Sequence, residues 1–139
     1  MRLIYPDPSI HKIHSFSSKV PAGFPSPAEG YEEKRLSLDD LLISNPLATF
    51  FVEMEGDSMI EANIQTGDIA VVDRSLQAKH NDIVLAYIEA SGFTIKRLIK
   101  RSGKVFLYPA NKKYTPIEIS EFIEVRIWGV VTGIVRKCL

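Results

Sequence analysis

Ser58 and Lys96 are the two residues whose types and settings could perform chemistry together. Ser58 follows Gly56-Asp57, directly after a strand-like run at Thr49–Met54. Glycine allows a tight turn without steric strain. A serine on such a turn can share a small volume with backbone N–H groups that stabilise an oxyanion. Many Gly-Asp-Ser tripeptides are only turns, so the pattern by itself is a hypothesis of a nucleophile.

A nucleophilic serine needs a base, and Lys96 is the candidate. It lies in the strand-like segment Gly92–Leu98. The two-residue alternation of a strand places it on the same face as Thr94 and Leu98. A free lysine has a pKa of about 10.4, so it must lose its proton before it can accept one. Burial in an apolar pocket lowers a lysine pKa by several units. The alternative is a lysine that is simply solvated.

The remaining nucleophiles, bases and metal ligands are poorer candidates. His11 and His14 lie in a polar N-terminal region and His80 in a loop, so the sequence indicates no Ser-His-Asp arrangement. The single cysteine, Cys138, is one residue from the end and excludes a disulfide framework, which favours a reducing compartment. We therefore expect no metal and no cofactor.

The composition predicts a cytoplasmic single domain. The chain has 139 residues, of which 45% are hydrophobic, which is enough for a core. The 17 acidic and 17 basic residues balance, so no overall field directs the protein to DNA or to a membrane. No apolar run approaches the roughly 20 residues that span a bilayer. No signal-peptide pattern opens the chain.

From Leu47 onward, strand and turn signals predict a mainly β fold of short, mostly antiparallel strands. The strand-like segments after Thr49–Met54 are Ile69–Val72, Ile83–Ile88, Gly92–Leu98, Val105–Tyr108, Ile117–Ile119 and Val125–Val135. Ile83–Ile88 is continuously apolar, which is typical of an interior strand. We predict that this β-rich domain covers residues 36–139.

One short helix is predicted ahead of the strands. Ser37 is a suitable N-cap, with Asp39 and Asp40 in the first turn and Pro46 as the stop. Its apolar face would consist of three leucines, Leu38, Leu41 and Leu42.

Residues 1–35 are predicted to form a flexible arm. They contain five of the eight prolines and show no helical or strand periodicity. In Val20–Pro25, prolines on both sides favour extended backbone. The peptide bond between Ala22 and Gly23 would be slim, accessible and able to bend into a cleft, although the segment could equally be a plain linker.

Charge is distributed unevenly along the chain. Between Glu53 and Asp68 the charged residues are all acidic, and between Lys96 and Lys113 they are all basic. A solvated hairpin tip at residues 100–104 explains part of the basic run, and a surface for a nucleoprotein or polymerase partner is the alternative. Aromatic residues placed to stack on bases are not evident, so we expect no direct DNA binding.

Four segments of the chain, taken in order, resemble the LexA/UmuD family of self-cleaving serine peptidases. They are Ala22-Gly23, Gly56-Asp57-Ser58-Met59, Gly67-Asp68 and Phe93–Leu98. The resemblance covers about residues 20–137. The segment after the Ala-Gly pair is more similar to the mutagenesis proteins of the family than to its repressors. The resemblance implies that Ser58 attacks the Ala22 carbonyl, that Lys96 is the general base, and that the backbone N–H groups of Asp57 and Ser58 bind the oxyanion.

The family also implies a regulatory setting, the SOS response to DNA damage. A RecA filament on single-stranded DNA would stimulate cleavage by favouring the cleavable arrangement. Residues 23–139 would then form a homodimer and join a UmuC-type Y-family subunit as an error-prone translesion polymerase. The arm at His14–Ser18 lacks the Phe-Pro-Leu-Phe type of sequence that binds the sliding clamp in the family. The tether between Gly23 and Ser58 is long enough for cleavage in cis or in trans.

Three other interpretations of the sequence were considered. A signal-peptidase-like enzyme would need a membrane anchor. A self-cleaving repressor would need a helix-turn-helix domain, and only 22 residues, rich in proline and serine, precede Gly23. A non-cleaving adaptor of the same fold would make no use of Ser58 and Lys96.

Overall fold

The computed structural model describes residues 2–4, 6, 12–16, 22–23 and 33–139. Within them lie one α-helix and ten strands, together with short 3-10 helices at Pro46–Ala48 and Ile60–Ala62. The strands are β1 (Arg2–Ile4), β2 (Lys12–Phe16), β3 (Glu33–Ser37), β4 (Thr49–Glu53), β5 (Ile69–Asp73), β6 (Ile83–Ile88), β7 (Gly92–Arg101), β8 (Lys104–Tyr108), β9 (Ile117–Glu118) and β10 (Val125–Val135), and the helix is α1 (Leu38–Leu42). None of the described helices is long and apolar enough to cross a membrane.

The chain divides into two compact units, one of Met1–Pro6 with Asn45–Leu139 and one of Asp7–Ser44. The first unit contains a sheet in the order β1-β4-β5-β10-β6-β7-β8-β9, in which every neighbouring pair is antiparallel. The predicted mainly β fold with one short helix is therefore confirmed. Each strand predicted from the sequence is present, with its ends shifted by three residues at most.

The long strand β10 joins the two halves of this sheet, because it pairs with β5 on one side and β6 on the other. The register of its pairing with β6 shifts between Ile127 and Gly129. At Gly129 the backbone of β10 comes very close to β5. A Cβ on Gly129 would lie 2.6 Å from a methyl group of Val72 and 2.9 Å from the carbonyl oxygen of Asp73. Only glycine fits this approach without a shift of the backbone.

Alternating residues of the sheet supply two apolar clusters. The first contains Met54, Met59, Leu85 and Ile95, and the second contains Val84 with other residues of β6, β7 and β8. Strand β6 supplies both clusters because its successive side chains point to opposite faces. Its predicted interior position is confirmed, since it lies between β10 and β7.

In the second unit, β2 pairs with β3, and α1 follows. The predicted N-cap is confirmed, because the Ser37 hydroxyl accepts a hydrogen bond from the Asp40 N–H at 3.3 Å. The predicted stop at Pro46 is wrong: α1 ends at Leu42, and Pro46 begins a separate 3-10 helix. The leucine face is not buried, since Leu38 and Leu41 are 58% and 63% exposed.

No pattern in residues 1–35 indicated strands, whereas the structure places β1, β2 and the first residues of β3 there. β1 has only three residues, and β2 and β3 are mostly polar, whereas β4 and β5, which are as short as β2, are mostly apolar and were recognised. The flexibility of the arm and its boundary at residue 35 stay predictions.

Candidate active site

Ser58 is presented by a turn that leaves the end of β4. Gly56 has φ +94°, a conformation that favours glycine, so the predicted role of this residue is confirmed. The following Met59 is 1% exposed and packs in the first apolar cluster. Because one end of the turn is anchored by Met59, the half-buried Ser58 lies at the edge of the core rather than in free solvent.

Lys96 lies in β7 opposite Val84 of β6, and Thr94 lies opposite Ala86. Residues directly opposite in an antiparallel pair have neighbouring side chains on the same face. Val84 and Ala86 are both 0% exposed. The side chain of Lys96 is therefore next to buried apolar side chains, which belong to the apolar run of β6.

The lysine nitrogen is in contact with the serine oxygen. Lys96 Nζ lies 2.9 Å from Ser58 Oγ, 2.5 Å from Thr94 Oγ1 and 3.2 Å from the carbonyl oxygen of Ile95. The prediction that Lys96 and Thr94 share a face is confirmed by the second distance. Two residues far apart in sequence thus form one hydrogen-bonded pair, as a nucleophile and its base require.

Burial lowers the pKa of the Lys96 ammonium, because removal from water disfavours its charged form. No carboxylate of the described residues forms an ion pair with Lys96 to offset this effect. The neutral amine is the form that can accept a proton. The electrostatics of the pair therefore favour a base rather than a fixed positive charge.

The nucleophile turn is held by side chains that the sequence analysis missed. Thr66 Oγ1 accepts a hydrogen bond from the Gly56 N–H at 3.0 Å and donates one to the Gly56 carbonyl at 3.1 Å. Asn111 Nδ2 donates to the Asp57 carbonyl at 2.9 Å, and the Tyr114 hydroxyl donates to the Asp57 carboxylate at 2.5 Å. These residues lie in loops with no local pattern, so nothing in the sequence indicated the contacts.

Ala22 and Gly23, the predicted cleavage pair, are both exposed and lie at a bend in the unit Asp7–Ser44. Their exposure agrees with the accessible peptide bond expected from the sequence. Their role as the cleaved pair stays a prediction, as do the roles of Ser58, Lys96 and the Asp57 and Ser58 N–H groups.

The other candidate residues take no part in this pair. His80 Nδ1 accepts a hydrogen bond from the Lys100 N–H, which ties a loop to β7. Cys138 is exposed near the C-terminus. His11 lies outside the described residues, and His14 is described only as part of β2. Across the described ranges, no group of three or more His, Cys, Asp or Glu is arranged to hold a metal ion.

Comparison with known proteins gives matches over most of the chain. Residues 15–132 match the family described as Peptidase S24-like. Protein MucA of Salmonella typhimurium is 44% identical over 124 residues, which cover 88% of this chain and 84% of that protein. Protein ImpA of Shigella flexneri is 38% identical over 133 residues, covering 88% and 82%. The LexA repressor of Shewanella piezotolerans is 34% identical over 120 residues, covering 86% of this chain and 57% of the repressor.

Proposed function

Because the chain belongs to the Peptidase S24-like family, we propose that it is a serine peptidase that cleaves its own Ala22–Gly23 bond. Membership of this family, together with the similarity to a LexA repressor, confirms the family resemblance inferred from the sequence. The single observation that carries the proposal is the 2.9 Å contact between Lys96 Nζ and Ser58 Oγ.

The three neighbours of Lys96 Nζ can all accept hydrogen bonds from an ammonium, and the same geometry serves the neutral amine that a base requires. A neutral amine has two N–H groups and one lone pair. The hydroxyl of Thr94 and the carbonyl of Ile95 accept the two N–H groups, which leaves the lone pair for the proton of the Ser58 hydroxyl. Thr94 and Ile95 therefore orient the base toward the nucleophile.

Acylation begins when the Ser58 oxygen attacks the carbonyl carbon of Ala22 and its proton passes to Lys96. The negative charge that develops on the Ala22 oxygen is stabilised by the N–H groups of Asp57 and Ser58. Within residues 33–139, neither N–H donates a hydrogen bond to another group. The Lys96 ammonium then gives its proton to the Gly23 nitrogen as the peptide bond breaks, and an ester joins Ser58 to Ala22.

Deacylation repeats these steps with water. Lys96 accepts a proton from a water molecule that attacks the ester, and the proton returns to Ser58 Oγ when the ester breaks. The products are residues 1–22, with a new carboxylate, and residues 23–139, with a new amine. Because substrate and catalyst belong to one chain, much of the entropy cost of their encounter is avoided.

The trimmed chain is proposed to act in the SOS response to DNA damage. In this proposal a RecA filament on single-stranded DNA stimulates cleavage. A homodimer of residues 23–139 then serves as the accessory subunit of a UmuC-type error-prone translesion polymerase in the cytoplasm. The support is the family membership together with the resemblance of the cleavage segment to the mutagenesis proteins.

The decisive experiment is mass spectrometry of the purified full chain after incubation at alkaline pH, and separately with RecA, ATP and single-stranded DNA. We expect a fragment that begins at Gly23. The matched control is Ser58→Ala, which lacks only the attacking oxygen and should stay intact in both incubations. An intact wild-type chain, or cleavage of Ser58→Ala at the wild-type rate, would refute the peptidase and leave the non-cleaving adaptor.

A further inference from the structure

Two peptide groups carry the N–H donors of the proposed oxyanion site, and each has a carbonyl on its other side. A peptide unit is planar and trans, so its C=O and its N–H point in opposite directions. The Asp57 N–H shares a plane with the Gly56 carbonyl, and the Ser58 N–H shares a plane with the Asp57 carbonyl. Whatever holds these two carbonyl oxygens therefore also aims the two donors.

The Gly56 carbonyl is held by Thr66. The Thr66 hydroxyl donates to this oxygen at 3.1 Å and accepts from the Gly56 N–H at 3.0 Å, so one side chain fixes the residue from both ends. Gly56 has φ +94°, where the lack of a side chain leaves the backbone with much freedom. A hydroxyl at this point restricts a turn that glycine alone would leave loose.

The Asp57 carbonyl is held by Asn111. Its amide nitrogen donates to this oxygen at 2.9 Å, while its amide oxygen accepts from the Lys113 N–H at 3.0 Å. Asn111 is only 9% exposed, and no buried side-chain polar atom in the described ranges lacks a partner. The Ile60 N–H donates to the same carbonyl at a longer 3.2 Å.

The loop that carries Asn111 is itself fastened to the nucleophile turn. The Ala110 carbonyl accepts a hydrogen bond from the Glu61 N–H at 2.8 Å, and the Ala110 N–H donates to the sulfur of Met59 at 3.3 Å. Both of these contacts lie after Ser58, and the contact of Asn111 with Asp57 lies before it, so the loop is connected to the turn on both sides of the serine. The position of Asn111 relative to Asp57 is therefore set by several independent contacts.

We propose that Thr66 and Asn111 are positioning residues that hold the Gly56–Asp57 and Asp57–Ser58 peptide planes so that both N–H groups face the developing oxyanion. The proposal rests on the proposed function, since it assigns a purpose to donors of that site. It adds that the donors are aligned before the substrate bond arrives. A preorganised donor is effective because no reorganisation is needed during the reaction.

The test compares self-cleavage rates of Thr66→Val and Thr66→Ser over a range of alkaline pH. Valine keeps the shape but removes the hydroxyl, whereas serine keeps the hydroxyl. We expect Thr66→Val to lower the maximal rate roughly tenfold or more, by analogy with misplaced catalytic groups. Thr66→Ser should restore most of that rate. The pH midpoint should not change, because it reports Lys96 rather than the donors.

Asn111→Ala is compared in the same way with Tyr114→Phe, which removes the contact to the Asp57 carboxylate but not to a peptide plane. We expect a loss of roughly tenfold or more in the first variant and less than about threefold in the second. Rates are measured well below each melting temperature, so a merely structural role would leave them unchanged.

Wild-type rates in both Thr66→Val and Asn111→Ala, with cleavage of the wild type intact, would overturn the positioning role alone. Equal losses in Asn111→Ala and Tyr114→Phe would overturn the peptide-plane explanation. Reaction of Ser58 with a fluorophosphonate gives a second measure, since the phosphoryl oxygen would use the same donors. If the wild type neither cleaves nor reacts with this probe, the positioning role and the proposed function fail together.

Discussion

Two ionisable groups of the first unit, Asp68 and Lys96, have opposite electrostatic surroundings. The carboxylate of Asp68, directly before β5, is 1% exposed and is paired with Arg136, whose Nε lies 2.6 Å from Asp68 Oδ1. In β7, the partly buried amine of Lys96 has hydroxyl and carbonyl neighbours but no ion pair within the described residues. The ion pair at Asp68 stabilises both of its charges, whereas the surroundings of Lys96 destabilise its ammonium form.

The pKa directions express this contrast. The hydrogen bond from Arg136 lowers the pKa of Asp68 despite burial, so this carboxyl stays ionised. Burial lowers the pKa of Lys96, so this ammonium is disposed to lose its proton. Burial alone therefore does not decide the charge of an ionisable group. A partner of opposite charge keeps the Asp68 carboxyl ionised, whereas Lys96 has no such partner among the described residues and its ammonium is more easily deprotonated.

A permanent charge at position 96 should reduce self-cleavage strongly. Arginine stays protonated at every pH of interest, so Lys96→Arg provides no base. We expect self-cleavage to fall at least roughly 10³-fold, within the range that general acid–base catalysis contributes. The assay is formation of the fragment that begins at Gly23, measured from neutral to alkaline pH.

Lys100→Arg is the matched control, because Lys100 is an exposed lysine of the same strand. It should cleave at the wild-type rate. Cleavage by Lys96→Arg at a rate close to that of Lys100→Arg would contradict the contrast, since a residue that cannot lose its proton would then suffice.

The second effect removes the partner of Asp68. Arg136→Met leaves the buried Asp68 carboxylate without its ion pair, and we expect the free energy of unfolding at pH 7 to fall. The loss should be smaller than for a fully buried pair, because the Arg136 side chain is 39% exposed and water screens part of the interaction. Urea unfolding in the Ser58→Ala background measures the loss without interference from cleavage.

The double variant Asp68→Asn, Arg136→Met is the control for this effect. It removes both charges and should recover part of the lost stability, since no buried charge then remains unpaired. If Arg136→Met is as stable as the parent, the pair does not stabilise the fold. The proposed difference between Asp68 and Lys96 would then be contradicted.

The two sites also differ in how far the sequence predicted them. Ser58 was chosen as a candidate because it follows the turn signal of Gly56. Strand alternation placed Lys96 on the same face as Thr94. Both are local properties of the sequence. The Arg136 pair and the contacts of Thr66 and Asn111 depend on segments that meet only through the register of the sheet and the course of loops. A single sequence carries no local pattern for such encounters.

The same limit applied to the fold. The apolar runs of β6 and β10 predicted their bounds correctly, because long strands show a clear pattern. The strands β1 and β2 were missed, since β1 has only three residues and β2 contains only two apolar side chains, Ile13 and Phe16. The end of α1 was misplaced because Pro46 limits a helix but does not require it to continue that far.

The pH dependence of stability should change only modestly, and it compares Asp68 and Lys96 directly. Below its folded pKa, Lys96 is protonated in both states, and burying the ammonium opposes folding. As pH rises through that lowered pKa, the folded state loses its proton while the unfolded state keeps one up to about pH 10.4. The wild-type side chain should therefore gain stability relative to Lys96→Met between the two values. Asp68 behaves in the opposite sense: its contribution is present above about pH 3.9 and is lost on acidification through its lowered folded pKa.

Urea unfolding of Ser58→Ala, with and without Lys96→Met or Arg136→Met, measures both differences from acid to alkaline pH. The Lys96→Met difference should change at alkaline pH and the Arg136→Met difference at acid pH. A Lys96→Met difference that stays constant up to pH 10 would mean that folding does not lower the pKa of the lysine. Lys96 would then be an ordinary solvated strand residue, and its contact with Ser58 would have no catalytic consequence near neutral pH.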